Sequence, residues 1–443
     1  MDIQKFKIKL TTFQIIIYAF ALTILLGAAL LSLPISTNDG SGASFFDALF
    51  TSTSAVCVTG LVVKDTWYYW SVFGKTVILL LIQIGGLGIV TVTLLIFMLS
   101  GRKISLSQRM IMKDAISADR VGGILRLTSF ILKLTVIFET AGSLIMYPVF
   151  SKTYGALKGL GYAIFHSVSA FCNAGFDLMG SYGDFSSLCP YKDNIVVNLT
   201  VMALIVSGGL GFSTWKDISF NKWKRHRYSL QSRAVLFMTI LLILIPAIFF
   251  FTVEFDALPV RERLLSSFFQ SVTTRTAGFN TQSLDALSDN GKMIMIILML
   301  IGGAPGSTAG GMKVTTVIVL VASAFSTFRD NDNTDLFRRT VKNEIIKKAA
   351  ALFFMYSTLF ISAAMFISRL ENLPILTCLF ETASAIGTVG LSLGITPTLS
   401  ALSGSILILL MFFGRVGGLT VVFAAITYKP TRGKYPTEDI SVG

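Results

Sequence analysis

Apolar and polar positions along the chain follow one order, repeated. Long apolar runs at 13–33, 77–99, 234–252 and 403–426 are each long enough to cross a hydrocarbon core, which takes about 20 helical residues. Between long runs stand short apolar segments at 45–55, 160–170, 264–273 and 374–383. As a helix, such a segment reaches roughly 16 Å, about half a bilayer. The pattern therefore predicts full spans alternating with segments that enter the membrane and turn back. Ten-residue alternating segments, the signature of a membrane barrel, are absent.

Each short segment ends in a related stretch. The clearest copy is Ser384-Ala385-Ile386-Gly387-Thr388-Val389-Gly390-Leu391. The others are Ser54-Ala55-Val56-Cys57-Val58-Thr59-Gly60-Leu61, Ser169-Ala170-Phe171-Cys172-Asn173-Ala174-Gly175-Phe176, and Val272-Thr273-Thr274-Arg275-Thr276-Ala277-Gly278-Phe279. Phe50, Phe165, Phe268 and Phe380 each stand ten residues before Gly60, Gly175, Gly278 and Gly390, with Ser or Thr between. The glycines are 115, 103 and 112 residues apart, so one supersecondary unit occurs four times. The units read 13–33, 45–55 and 71–99; 129–150, 160–170 and 194–212; 234–252, 264–273 and 292–325; and 348–367, 374–383 and 401–426. With two full spans per unit, all four face the same way. The expected fold class is an all-α polytopic membrane protein: four parallel helix–pore-helix–helix repeats with pseudo-fourfold symmetry around a central pore. The repeats fall at 1–100, 101–213, 214–328 and 329–427, and a cytoplasmic tail occupies 428–443.

Non-helical backbone at membrane depth is tolerated only inside protein or along a water-filled path, so the four turns are expected to meet around a pore. Glycine takes left-handed or mirror-β dihedrals that let successive carbonyl oxygens replace the water around a dehydrated cation. A glycine that merely permits tight packing accounts for one copy, but not for four at matched depth.

Composition agrees. Of 443 residues, 53% are hydrophobic and 14% charged, too little polar surface for a soluble globule of this size. The net charge of +13 raises nucleic acid as a partner until the basic residues are located. Alternation puts 25 Lys/Arg against 10 Asp/Glu in the segments 1–12, 100–130, 213–233, 312–348 and 428–443. That asymmetry is the positive-inside pattern; it places both termini and these loops in the cytoplasm and leaves no charge for nucleic acid to explain. Cys57, Cys172, Cys189 and Cys378 form no paired framework, and the first apolar run is read as a retained helix rather than a cleaved signal. The two histidines, His166 and His226, have no metal-ligand or nucleophile spacing, which disfavours an enzyme.

Val58-Thr59-Gly60, Asn173-Ala174-Gly175-Phe176, Thr276-Ala277-Gly278-Phe279 and Thr388-Val389-Gly390-Leu391 resemble the four filter segments of the Trk/Ktr/HKT potassium-transporter superfamily. The resemblance covers essentially the whole chain and, with eight spans, is strongest to the membrane subunit of bacterial Ktr systems. It implies potassium uptake across the plasma membrane and a pseudo-fourfold pore in each subunit. It also implies a homodimer, regulation by a separate cytosolic ring that carries the nucleotide, and sodium as an activator, with no cofactor on this chain. Gly60 at the first filter position favours potassium over sodium. A secondary transporter with alternating access coupled to sodium or protons is the alternative, but such proteins commonly use inverted repeats, whereas these are parallel and fourfold.

One long run is interrupted by Gly302-Gly303-Ala304-Pro305-Gly306-Ser307-Thr308-Ala309-Gly310-Gly311. No continuous helix survives that composition, since an interior glycine costs about 1 kcal/mol and proline about 3. Gly306 and Gly311 have phosphate-loop spacing, but Met312 stands where lysine is needed and no strand precedes. The resemblance makes this stretch an intramembrane gating loop below the filter, bordered by Arg415. An arginine in an uncharged span must face a polar interior. It is expected to donate to loop carbonyls at 304–307 and to form a positive barrier. Arg275 is expected to brace the filter from behind against Glu381. Glu139 and His166 read as satisfied core polar groups. Gly85-Gly86-Leu87-Gly88, Gly208-Gly209-Leu210-Gly211 and Gly414-Arg415-Val416-Gly417-Gly418 read as close-packing sites. Lys222-Trp223-Lys224-Arg225-His226-Arg227 and the segment 329–348 are natural docking surfaces for the regulatory ring.

Overall fold

The computed structural model describes residues 11–88, 91, 124–222, 224–425 and 438. The predicted cytoplasmic segments 100–123 and 428–443, Glu438 apart, lie outside the described residues, as do residues 1–10, Trp223 and the 92–99 end of the first unit. The fold is all-α, as the periodicity predicts. An unpredicted hairpin pairs β1 (Asp335–Leu336) antiparallel with β2 (Arg339–Thr340) in the basic loop between the third and fourth units.

Each unit opens with a long helix: α1 (Thr12–Leu31), α4 (Ile124–Tyr154), α8 (Leu230–Phe249) and α12 (Asn343–Glu371). These are long and apolar enough to span a membrane, α8 running on through the π-helical turn Phe250–Glu254. The half-length helices follow: α2 (Phe45–Cys57), α5 (Ala156–Phe171), α9 (Val260–Thr273) and α13 (Ile375–Gly387).

In units 1, 2 and 4 the third element departs from expectation. A continuous second span was predicted, yet a glycine ends its helix. The break in the third unit is the one the sequence leads one to expect. α3 (Val72–Leu87) ends at Gly88, α6 (Ile195–Gly209) turns at Gly211 into α7 (Phe212–Asn221), and α14 (Ala401–Val416) turns at Gly417 into α15 (Gly418–Ala425). Gly88, Gly211 and Gly417 hold φ of 83°, 82° and 91°, a left-handed backbone that glycine adopts without a Cβ penalty. The bend between α6 and α7 is 96°. In the third unit the break is longest, residues 301–313 separating α10 (Asp289–Leu300) from α11 (Val314–Phe328).

The units close into a ring because each third element packs on the next unit's half-length helix: α3 on α5, α6 on α9, α10 on α13, and α14 back on α2. Within units 1, 2 and 4 a glycine permits the approach to the unit's own half-helix. A Cβ at Gly85, Gly208 or Gly414 would lie 2.0, 2.0 and 2.1 Å from the carbonyl oxygens of Val56, Phe171 and Ile386, each four residues before the repeated glycine. Polarity runs inward. Ser52, Ser54, Ser167, Ser169, Ser271, Thr273 and Ser384 are buried around the centre, while Leu22, Leu25, Leu144, Ile240 and Met365 are exposed on the long helices. This arrangement suits a hydrocarbon surround, where polar groups must be satisfied by the protein itself.

Gly208→Ala is expected to destabilise the chain by about 1–3 kcal/mol, because its methyl meets backbone that cannot yield. Gly161→Ala, in α5 with nothing within 4 Å of the added carbon, is expected to be neutral or stabilising by up to about 1 kcal/mol. Melting curves of the detergent-solubilised chain separate the two; equal shifts would contradict the packing account.

Candidate functional site

At the inner end of each half-length helix the chain leaves the helix by the same route. Val58, Asn173, Thr276 and Thr388, two residues before the repeated glycines, have φ of 56°, 59°, 63° and 52°. The glycines follow with φ of 93° at Gly60, 70° at Gly175, 84° at Gly278 and 92° at Gly390. Four non-glycine residues in the left-handed region at one register form a held conformation, since each costs roughly 1–2 kcal/mol on its own.

The hydroxyl side chains noted in the repeats do the holding. Main-chain N–H groups of Thr59, Ala174 and Val389 donate to the carbonyls of Ser54, Ser169 and Ser384 at 2.8 Å each, and Ala277 N–H donates to Thr273 O at 2.9 Å. Gly60 and Gly390 N–H each donate to the hydroxyl of Ser54 or Ser384 at 3.0 Å. In the other two units the hydroxyl works outward, Ser169 donating to Phe176 O at 2.7 Å and Thr273 to Phe279 O.

The four stretches meet. A Cβ at Gly60 would lie 2.5 Å from Ala174 O, one at Gly175 2.8 Å from Ala277 O, one at Gly278 2.4 Å from Val389 O, and one at Gly390 2.1 Å from Thr59 O. Each glycine thus faces the preceding residue's carbonyl in the next unit, and the sequence of contacts returns to its start. The four glycines line the floor of a vestibule of about 430 Å³. Its walls carry Asp65, Asp177, Asp184 and Asp285 and neither lysine nor arginine. On the other side, Gly414, Arg415, Lys313 and residues of the broken stretch line a cavity of about 310 Å³ with no carboxylate in its wall. The ring therefore separates an acidic cavity from a basic one, a polarity that attracts cations to the acidic side.

Residues 301–313 lie directly under the ring and are held on three sides. Ala304 N–H donates to Gly209 O at 3.0 Å, Phe212 N–H to Gly306 O at 2.9 Å, Gly311 N–H to Gly414 O at 3.1 Å, and Gly302 N–H to Met312 O at 2.7 Å. Glycine is required where the stretch touches the ring: a Cβ at Gly310 would sit 2.0 Å from Thr388 Oγ1 and one at Gly311 2.8 Å from Gly387 O. Lys313 Nζ donates to the carbonyls of Ala309 at 2.8 Å and Gly310 at 3.3 Å.

Arg415 does meet this stretch, but not at 304–307. Its guanidinium donates to Thr308 O, to Gly85 O, and to Gly86 O at 3.1 Å. Because α3 stops at Gly88, its last carbonyls are available as acceptors, so Arg415 ties the fourth unit to the third and the first. Arg275 is buried at the expected register, yet no ion pair joins it to Glu381; instead Glu381 accepts from the Thr396 hydroxyl. Glu139 accepts from Gln83 Nε2 at 3.3 Å and faces Cys172 Sγ at 3.9 Å behind the second ring segment. His166 Nδ1 lies 2.8 Å from Tyr162 O and its Nε2 accepts from Leu178 N–H at 3.3 Å, so the imidazole secures the chain leaving that segment.

Sequence reasoning missed the acidic cavity. Asp65, Asp177, Asp184 and Asp285 follow their glycines by five, two, nine and seven residues, so no shared spacing marks them. Lys313, one place beyond the phosphate-loop lysine position, carries no sequence signal for its carbonyl contacts.

Four half-length helices converging on one centre within a shell of apolar spanning helices define the class of polytopic membrane transport proteins. More narrowly, the chain belongs to the TrkH family of cation transport proteins, whose family model matches residues 4–433. It is 39% identical to the potassium/sodium uptake protein NtpJ of Enterococcus hirae and 37% identical to the Ktr system potassium uptake protein B of Bacillus subtilis, in both cases over all of each chain. The crystal structure of the potassium transporter TrkH from Vibrio parahaemolyticus shares the fold, with a TM-score of 0.73 at 19% identity over 94% of this chain and 85% of that one.

Neutralising the exposed Asp184 and Asp285 together with asparagine is expected to slow cation uptake into vesicles by about two- to threefold at low salt. The difference should vanish near about 0.5 M salt, where the Debye length falls to a few ångströms. A deficit independent of salt would contradict a steering role.

Proposed function

We propose that this chain is the potassium-conducting membrane subunit of a Ktr-type uptake system. The observation that carries this reading is the closed ring in which each of Gly60, Gly175, Gly278 and Gly390 faces a carbonyl of the next unit. Val58, Thr59 and Gly60, with Asn173, Ala174 and Gly175, Thr276, Ala277 and Gly278, and Thr388, Val389 and Gly390, supply main-chain oxygens that replace an ion's hydration shell. Such oxygens are hard donors, suited to an alkali cation. The absence of a side chain at all four glycines leaves room for oxygens on every side, which favours potassium, and the names of the Enterococcus and Bacillus relatives support the same ion.

In this reading the segments 1–100, 101–213, 214–328 and 329–427 act as four pore repeats, with 428–443 as a cytoplasmic tail. The stretch Gly302, Gly303, Ala304, Pro305, Gly306, Ser307, Thr308, Ala309, Gly310 and Gly311 is the gate, and Arg415 is its latch. Charge asymmetry supports a plasma-membrane protein with both termini cytoplasmic. Relatives named as parts of a Ktr system support a chain that works with partner subunits. In this reading it forms a homodimer with a cytosolic ring that docks at the basic segments 222–227 and 329–348 and holds the nucleotide. Sodium acts as an activator rather than as the main cargo.

Two substitutions test the reading. Gly60→Ser places a side chain where φ is 93° and Ala174 O is 2.5 Å from the added carbon, so the ring must shift. Rubidium-over-sodium uptake into vesicles is expected to fall by about fivefold or more, on the scale of one lost polar contact; an unchanged ratio would remove the ring as the discriminating element. Arg415→Ala removes three carbonyl bonds and a positive charge, and is expected to raise basal rubidium uptake several-fold. Uptake and regulation equal to those of the unsubstituted chain would end the latch role.

A further inference from the structure

The ring is fourfold in its backbone but not in its side chains. At the left-handed position Val58, Thr276 and Thr388 present short apolar or hydroxyl side chains; only the second unit presents an amide, Asn173, and it is fully buried. Its Nδ2 donates to Arg275 O of the third ring segment at 3.2 Å and to Ile205 O of α6 at 3.4 Å. Its Oδ1 accepts from the Thr308 hydroxyl of the broken stretch at 2.9 Å. The amide cannot be reversed, because Oδ1 would then face two carbonyls. Thr308 has one hydroxyl hydrogen, shared between Asn173 Oδ1 and Phe171 O at 3.0 Å, so its side chain is held by the ring segment and the end of its half-helix, while its main-chain N–H donates to Gly208 O at 3.3 Å. Gly208 makes room for this meeting: an added carbon there would lie 2.6 Å from both Asn173 Oδ1 and Thr308 Oγ1.

One side chain thus joins the gate, the inner helix of its own unit and the backbone of the neighbouring ring segment. We propose that Asn173 is the positioning residue for ion discrimination, and that it holds the ring in its selective geometry only while Thr308 holds its amide. Displacing the stretch frees Oδ1, lets the amide turn, and releases the Arg275 carbonyl two residues before Ala277, whose own carbonyl faces Gly175. Opening the path and loosening selectivity are then one event rather than two. A buried amide that loses one of its partners seeks another, and the arriving cation supplies one. The inference rests on the pore reading above and adds to it a dependence of selectivity on the gate.

The test uses the full chain reconstituted in vesicles, with initial uptake of rubidium and of sodium measured in parallel. Thr308→Val keeps shape and removes the hydroxyl; it is expected to lower the rubidium-to-sodium ratio about fivefold, and Thr308→Ser to restore it. In Asn173→Leu the ratio is expected to fall similarly, and adding Thr308→Val to that variant is expected to produce no further fall, because both remove one link. If Thr308→Val alters total uptake while leaving the ratio unchanged, or if the two substitutions are additive, the proposal is overturned. Should Asn173→Leu fail to fold, the Val and Ser pair at Thr308 decides alone. Absence of rubidium uptake by the unsubstituted chain would instead overturn the pore reading itself.

Discussion

A peptide group that is not paired within a helix cannot face hydrocarbon. Half-length helices impose that condition at four places in this chain, and the fold follows from satisfying it. Each helix ends halfway into the membrane, so the residues after it must turn back inside protein. The only interior shared by four equivalent units is the axis between them. There the turns pack so closely that a β-carbon at any of the four glycines would collide with the next unit's backbone. The ring exists because side chains are missing from it, so that each glycine meets a carbonyl of the next unit.

The symmetry is broken in the third unit. Three units end their third element with a single left-handed glycine, whereas the third unit inserts thirteen residues, 301–313, between its helices. That insertion fills the space under the ring, and its carbonyls are gathered by two cations, Lys313 from within and Arg415 from the fourth unit. No carboxylate lines that cavity, so the cations are balanced by carbonyl dipoles. The cavity on the other side of the ring has the opposite sign, lined by four aspartates.

Much of this was legible in the sequence because it depends on periodicity. The ten-residue interval from phenylalanine to glycine reports helix length, and helix length alone places Phe50 and Gly60, or Phe380 and Gly390, at their depths. Side-chain partnerships across units were less legible. Arg275 and Glu381 have opposite charge, but charge alone does not report a contact across units, and Glu381 turns to Thr396 instead. The motif from Gly85 to Gly88 was read correctly as a close approach at its first glycine and missed as a turn at its last. The apolar run continues through Gly88 without change, and hydrophobicity does not report backbone dihedrals. The vestibule aspartates sit on loops of unequal length, so only the folded chain assembles them.

The most direct test of the ring as an ion path is an experimental structure of the full chain with rubidium or thallium, read by anomalous scattering. The account predicts peaks on the pseudo-fourfold axis, between layers of carbonyl oxygens contributed by 58–60, 173–175, 276–278 and 388–390. Peaks confined to the acidic vestibule or to the protein's periphery, with the axis empty at the depth of the four glycines, would contradict it.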